Sequence, residues 1–257
     1  MDIQKIRESL ENSKTLLQKI QADLLWRQPE RVTEFPKTNL SDHHLTNGVP
    51  GYINIISACE AFLDNHGDNY LGMGYLNKNQ ADIFYKIILE IVDWNINSSV
   101  TILDFGCGTS HLYEYILENN LAEKIHYSGL DILEKSINIS KLKFPHNQYY
   151  CLDILDKEAN LPEFDYITMN GVFTAKFSLS FEEMKSYFEI LVPQVFNLCK
   201  KGISFNVFCP HTQEFYSDLL FYLPFDELGS FLAKKVSKNF TIRNDYNLED
   251  YTVYVYK

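Results

Sequence analysis

The chain has 257 residues, with 23 Lys and Arg against 34 Asp and Glu, a formal charge of −11 and 46% hydrophobic residues. A chain of this size and apolarity can bury roughly 70–75% of its unfolded surface, which excludes a mainly disordered polymer. The acidic balance argues against a nucleic-acid binder, whose affinity rests on Lys and Arg neutralising phosphates.

The N-terminus, MDIQKIRESLENSK, is too polar for a signal peptide, and no run of about 18 apolar residues offers a membrane span. Cys59, Cys107, Cys151, Cys199 and Cys209 are odd in number, widely spread and without a CxxC pair. That fits reduced thiols in a cytoplasmic protein better than a disulfide scaffold or a zinc site.

In chain order, residues 2–25 read as an amphipathic helix, with Ile3, Ile6, Leu10, Leu17, Ile20 and Leu24 recurring at spacings of three and four and Ser13 interrupting the stripe. Its apolar stripe serves packing on its own domain, with a dimer contact or a substrate lid as alternatives. Residues 27–52 carry Pro29, Pro36, Pro50, Gly48 and Gly51 among polar residues and read as a linker or irregular cover. Gly67–Tyr75 reads as a flexible stretch with two exposed aromatics, Tyr70 and Tyr75. A second helix starts near Asn77, where Gln80 three residues on resembles a capping box and Ala81, Phe84, Ile87, Ile88, Ile91 and Val92 form the apolar face. Asp42-His43-His44 lacks a third metal ligand at short spacing.

After residue 98 the pattern alternates. Strands are expected at Val100–Phe105, Ile125–Asp131, Gln148–Leu152, Asp165–Asn170, Gly202–Cys209, Phe240–Asp245 and Tyr251–Tyr256, with helices around 110–119, 134–143, 181–200 and 225–238. Alternating β and α with short apolar strands predicts an α/β doubly wound, mostly parallel sheet covered on both faces. Only residues 246–250 separate the last two strands, too few for a parallel crossover, so this pair is antiparallel.

The strongest local signal is Leu103-Asp104-Phe105-Gly106-Cys107-Gly108-Thr109-Ser110-His111, a strand running through a glycine turn into a helix. Such a turn brings backbone close to a ligand at the switch point of an open α/β sheet. A dinucleotide fingerprint wants Gly or Ala where His111 stands, and Asp104 is unwelcome beside a pyrophosphate but favourable beside a cation. Asp131 ends the second strand at the offset of a ribose ligand, and Asp153 follows the third, where an adenine amino group would lie. Any one of these aspartates alone reads first as a turn or cap residue. Together with the glycine turn they read as a nucleoside site.

These residues carry a resemblance. Segment 100–257 resembles the class I S-adenosylmethionine-dependent methyltransferases. LDFGCGTS looks like their first motif, with Ser110 in place of the usual third glycine, and the C-terminal hairpin matches their seven-stranded sheet. The resemblance implies S-adenosylmethionine as cofactor. Gly106, Gly108 and the Ser110 turn would lie at its methionine end with Asp104 near the cation, Asp131 and Ile132 at the ribose, and Asp153 and Ile154 at the adenine. Asn170 and Gly171 would stand by the reactive methyl group, and Tyr75 would add a contact from the cover.

The runs HGDNYLGMGYLNKNQADIFYKIILE, MNGVFT and NFTIRNDYNLEDYTVYVYK are also similar to bacterial methyltransferases from surface-polysaccharide (capsule or O-antigen) gene clusters. This implies methyl transfer to a sugar, sugar nucleotide or phosphate or phosphoramidate precursor.

Asn170-Gly171-Val172-Phe173 lacks the Asn-Pro-Pro-Tyr pattern of enzymes that methylate adenine or glutamine amides, and position 170 is not an acid, so no metal is expected. His211, after the fifth strand, is the candidate general base, and Lys176 could pair with a substrate phosphate or carboxylate. Their structural alternatives are a capping histidine and a solvated loop lysine. The expectation is an O-methyltransferase with residues 1–95 as substrate-selecting cover and 96–257 as cofactor-binding core, acting on a small molecule, with a homodimer left open. A noncatalytic cofactor-binding partner of another methyltransferase and an NAD-dependent oxidoreductase are the alternatives, the latter disfavoured by Asp104 and His111.

Overall fold

The computed structural model describes residues 52–95, 98–156, 158–210 and 217–257. The helix expected at 2–25, the cover at 27–51, His43-His44 and His211 lie outside the described residues.

Two helices precede the sheet, α1 (Tyr52–His66) and α2 (Lys78–Ile88). The sequence reading missed α1. It anticipated α2, whose N-cap Asn77 accepts a hydrogen bond from the Gln80 N–H at 2.9 Å. Gln80 reaches back one residue further than a capping box requires, its Oε1 accepting from the Leu76 N–H at 2.8 Å.

The alternating part follows as β1 (Val100–Phe105), α3 (His111–Glu118), β2 (Ile125–Asp131), α4 (Glu134–Lys143), β3 (Gln148–Cys151), β4 (Phe164–Met169), α5 (Phe181–Asn197), β5 (Cys199–Phe208), α6 (Phe225–Lys235), β6 (Phe240–Arg243) and β7 (Asp250–Tyr256). The strands make one sheet in the order β3-β2-β1-β4-β5-β7-β6. The first five pair in parallel, and β7 runs antiparallel to both β5 and β6. This is the doubly wound sheet with a reversed C-terminal hairpin that the spacing predicts.

Period-two alternation divides the core between the sheet's two faces. Leu103, Ile167, Phe188, Phe205 and Val253 pack on one side with α5 and α6. Ile88, Ile102, Ile116, Ile125 and Ile137 pack on the other with α2, α3 and α4. Ile102 and Leu103, adjacent in β1 and both fully buried, therefore serve opposite layers. The strand order reverses between β1 and β4, so their C-terminal ends diverge into the crevice where open α/β sheets bind ligands.

Candidate active site

β1 delivers the chain into a turn with Gly106 at φ +73° and Gly108 at φ +52°, left-handed values that cost a residue with a side chain. A Cβ at Gly108 would come within 2.7 Å of the Met73 sulfur, and one at Gly106 within 2.9 Å of Val172 Cγ2. Only bare backbone fits here.

Ser110, the next left-handed position at φ +67°, is not glycine. Its hydroxyl donates to Ser140 Oγ at 2.9 Å, with Tyr149 Oη 3.1 Å away, behind the turn. These bonds offset a backbone cost of about 1 kcal/mol or more. They also direct the side chain into the core: Ser110 is fully buried and does not line the cavity described below.

Asp131 holds the turn from β2. Its Oδ2 accepts from the Gly108 N–H and its Oδ1 from the Leu133 N–H, both at 2.8 Å. Burial pushes its pKa up, while those two N–H groups pull the other way. Asp104 lies deeper, 3% exposed, and accepts from Tyr127 Oη at 2.8 Å. Burial raises its pKa to about 7, opposed by the Tyr127 bond and reinforced by the charge of Asp131. Asp153 accepts from the Leu155 N–H at 2.8 Å through Oδ1 and from Tyr52 Oη at 2.5 Å through Oδ2.

One cavity of about 1020 Å³ joins these groups. Of the cofactor contacts expected from sequence, Tyr75, Asp104, Gly106, Gly108, Asp131, Ile132, Asp153, Ile154, Asn170 and Gly171 all line it. Tyr75 is not an exposed loop aromatic: it packs on Phe84 and Tyr85, and its hydroxyl accepts from Asn170 Nδ2 at 2.7 Å. Tyr70 is the exposed one. Lys176 does not line the cavity; its ammonium donates to the Leu179 carbonyl at 3.0 Å, closing its own turn.

Residues that the sequence reading did not single out complete the walls. Tyr52, Cys59 and Leu63 of α1 line the cavity, and Tyr52 stacks on Tyr187 with centroids 5.4 Å apart. Asp68 accepts from Thr109 Oγ1 at 2.6 Å and pairs with His111 Nε2 at 2.8 Å and Lys143 at 3.0 Å, so the segment after α1 is fastened to the glycine turn. Against its partial burial, Thr109, Lys143 and His111 hold the Asp68 carboxyl below its usual range. His111 Nδ1 faces Glu114 at 2.9 Å, which explains why a bulky residue stands where a dinucleotide fold wants Gly. Beyond Gly171 the cavity continues past Ala175, Phe177, Asn206, Ser217 and Tyr222. Segments 174–177 and 217–222 join there through Phe221 N–H to Thr174 O and Lys176 N–H to Leu219 O, both at 2.9 Å.

The residues fit S-adenosylmethionine. A cradle of bare backbone suits its methionine end, buried carboxylates suit a diol and a cation, and Asn170 Oδ1 is a buried acceptor with no partner among the described residues. Among those residues no cluster of three His, Cys, Asp or Glu could hold a metal, and no helix is long and apolar enough to cross a membrane.

Residues 103–202 match the family model described as a methyltransferase domain. The chain is 24% identical over 167 residues to a protein of Mycobacterium tuberculosis named as a methyltransferase, an alignment covering 63% of this chain and 96% of that one. It is 34% identical over 83 residues to the malonyl-[acyl-carrier protein] O-methyltransferase of Bacillus anthracis, covering 31% of this chain and only 29% of that protein. The fold matches magnesium protoporphyrin IX methyltransferase of Synechocystis with bound S-adenosylhomocysteine at a TM-score of 0.51 and 14% identity, over 80% of this chain and 96% of that one. The sheet order and glycine turn are those of the class I S-adenosylmethionine-dependent methyltransferase fold, residues 103–202 match a methyltransferase domain, and S-adenosylmethionine is the cofactor these findings support.

Proposed function

We propose that this protein transfers a methyl group to an oxygen of a small polar acceptor, a sugar, sugar nucleotide or phosphorylated precursor used in surface-polysaccharide assembly in the cytoplasm, without a metal. The observation that carries the reading is the continuity of one cavity from the nucleoside wall at Asp131 and Asp153, past Asn170, to a second half beyond β4 and β5. That half mixes the rings of Phe177, Phe208 and Tyr222 with the polar groups of Ser217 and Asn247. Rings pack against the faces of a sugar while convergent polar groups take its hydroxyls. The similarity of residues 60–257 to surface-polysaccharide methyltransferases supports the pathway.

The bound cofactor supplies a methyl group on a positively charged sulfur. The glycine turn offers backbone where side chains would obstruct, and Asp131 fixes the turn while accepting further hydrogen bonds, since a carboxylate has about four acceptor sites. Tyr75 and Asn170 orient the wall between the two halves. Holding the acceptor in line is the largest contribution open to these residues, up to about 7–11 kcal/mol in ideal intramolecular cases. For removal of the acceptor's proton the proposed general base is His211, which follows β5 in the sequence. A general base typically adds about 10²–10⁴-fold.

The test is transfer from methyl-labelled S-adenosylmethionine to nucleoside-diphosphate sugars, sugar phosphates, an acyl-carrier thioester and RNA in parallel. Label on a sugar compound, stable to hydroxylamine as an ether is, supports the reading. Label on the thioester or RNA alone sinks it.

A further inference from the structure

The turn after β4 is held from two directions, and one of them comes from inside the sheet. Asn206, in β5 and 2% exposed, accepts the Gly171 N–H through Oδ1 at 2.8 Å. Its Nδ2 donates to Asp250 Oδ2 at 2.8 Å, and Asp250, at the start of β7, is likewise 2% exposed. Gly171 sits at φ +80°, so no regular ladder takes its N–H; the Asn206 amide does. From the other side Tyr75 receives Asn170 Nδ2. Burying an amide and a carboxylate costs several kcal/mol unless each is bonded, and an apolar pair would fill the same space without that cost. The polar pair must earn its place by what it holds.

We propose that Asn206, oriented by Asp250, is a positioning residue that fixes the Asn170-Gly171 turn against the sulfur-bearing end of the cofactor. The inference rests on the cofactor reading above and goes beyond it. The Asn206 amide carries its acceptor and its donor on separate arms, so it accepts from Gly171 and donates to Asp250 at once. The antiparallel β7 thus has a role in the site that a parallel core alone would not give: it brings Asp250 beside β5, with Phe208 opposite it in register. The titratable groups around Asp250 are Tyr246 and Glu249 of its own hairpin and Tyr75 of the cover. Burial raises Asp250 to about 7, but its Oδ2 accepts from Asn206 in either protonation state, so the clamp holds across neutral pH.

The pair can be exchanged, which separates positioning from mere packing. Asn206→Asp alone sets two carboxylates face to face, bearable only while they share a proton. The double variant N206D/D250N moves the carboxylate to β5 and the amide to β7, restoring both hydrogen bonds with the roles of the two strands reversed. Calorimetric titrations use S-adenosylhomocysteine and, as a probe of the Asp131–Asp153 half alone, adenosine. Relative to wild type at the same pH, N206D should bind S-adenosylhomocysteine at least tenfold more weakly at pH 8 and recover toward pH 5.5. Its adenosine affinity should stay within about twofold, and the double variant should bind both ligands within about threefold of wild type at both pH values.

If N206D binds S-adenosylhomocysteine like wild type at pH 8, or loses adenosine to the same extent, the proposal is overturned. Should N206D not fold, the double variant decides: wild-type binding supports the clamp, and weak binding or misfolding overturns it. Wild type that fails to bind S-adenosylhomocysteine would sink the cofactor reading, and this inference with it. Flat variants on a binding-competent wild type sink the clamp alone.

Discussion

Removing the Asp131 carboxylate attacks the site where structure and binding meet. Each of its oxygens accepts a backbone N–H at 2.8 Å, one from the glycine turn and one from the chain entering α4. Hydrogen bonds to a charged group are worth about 1.5–3 kcal/mol each, so the two amount to about 3–6 kcal/mol gross. The raised pKa shows that burial disfavours this charge, so part of that sum is offset, leaving about 2–3 kcal/mol net for Asp131→Ala. For a chain of this size about 1 kcal/mol moves the melting temperature by roughly 2–4 °C, giving an expected fall of about 4–12 °C in a thermal melt. Loss of one charged ribose contact would weaken S-adenosylhomocysteine binding by about 10–150-fold in a titration. Asp131→Asn should do little better, because its amide N–H₂ must face one of the two N–H donors. A variant D131A that melts like wild type and binds within threefold would refute the role given to this carboxylate.

At Ser110 the backbone wants glycine and the side chain wants a hydroxyl. Ser110→Ala keeps the φ of +67° and loses the bonds near Ser140 and Tyr149, so it should cost about 2 kcal/mol, whereas Ser110→Gly relieves the backbone and should melt closer to wild type. Asp68→Ala unfastens the segment after α1 from Thr109, His111 and Lys143. Amide exchange at residues 67–75 should quicken several-fold while that in β1 and β4 stays put, and equal exchange would contradict the tether. Acid should act similarly. Asp68 and Glu114 are held below their usual range, so their contribution is present above about pH 4 and is lost as pH falls through their folded values. Asp104 and Asp250 have the opposite sign. Their pKa values rise from 3.8 to about 7, so the folded state binds more protons than the unfolded state between about pH 4 and 7. The ligand-free protein should therefore melt higher at pH 5.5 than at pH 8, by an effect of at most about 2 kcal/mol per group over that window. A flat or inverted profile in that window would contradict the burial of these two acids.

The sheet was legible because its strands are short apolar runs with turn residues at both ends, and because the six residues between the last two, 244–249, admit only a hairpin. Boundaries moved where polar residues belong to a strand's edge: β5 starts at Cys199, since Lys200 and Lys201 continue the ladder into solvent. The meeting of Asp104, Asp131 and Asp153 in one cavity was legible for a similar reason, as three aspartates at consecutive strand ends share one edge by topology. Helix α1 went unread although its signal is present: Ile55, Ile56, Cys59, Phe62 and Leu63 recur at i, i+1, i+4, i+7 and i+8, one face of the helix that also lines the cavity. Long-range pairings, by contrast, left no local trace. Thr109 and Asp68 are 41 positions apart and Asn206 and Asp250 are 44, and no spacing rule predicts which polar residues will meet. Lys176 shows the converse: a lysine after β4 reads as a ligand from sequence, yet a carbonyl three residues on holds it.

The central claim is that one cavity at the C-terminal ends of β1 to β4 holds S-adenosylmethionine with its reactive end toward Asn170. A crystal structure with S-adenosylhomocysteine tests it most directly. The account predicts the ribose hydroxyls on Asp131, the adenine beside Asp153 and Ile154, and the sulfur facing Asn170 and Gly171. Ligand density outside this cavity, or the nucleoside lying on the Asn170 side with its sulfur toward Asp153, would contradict it.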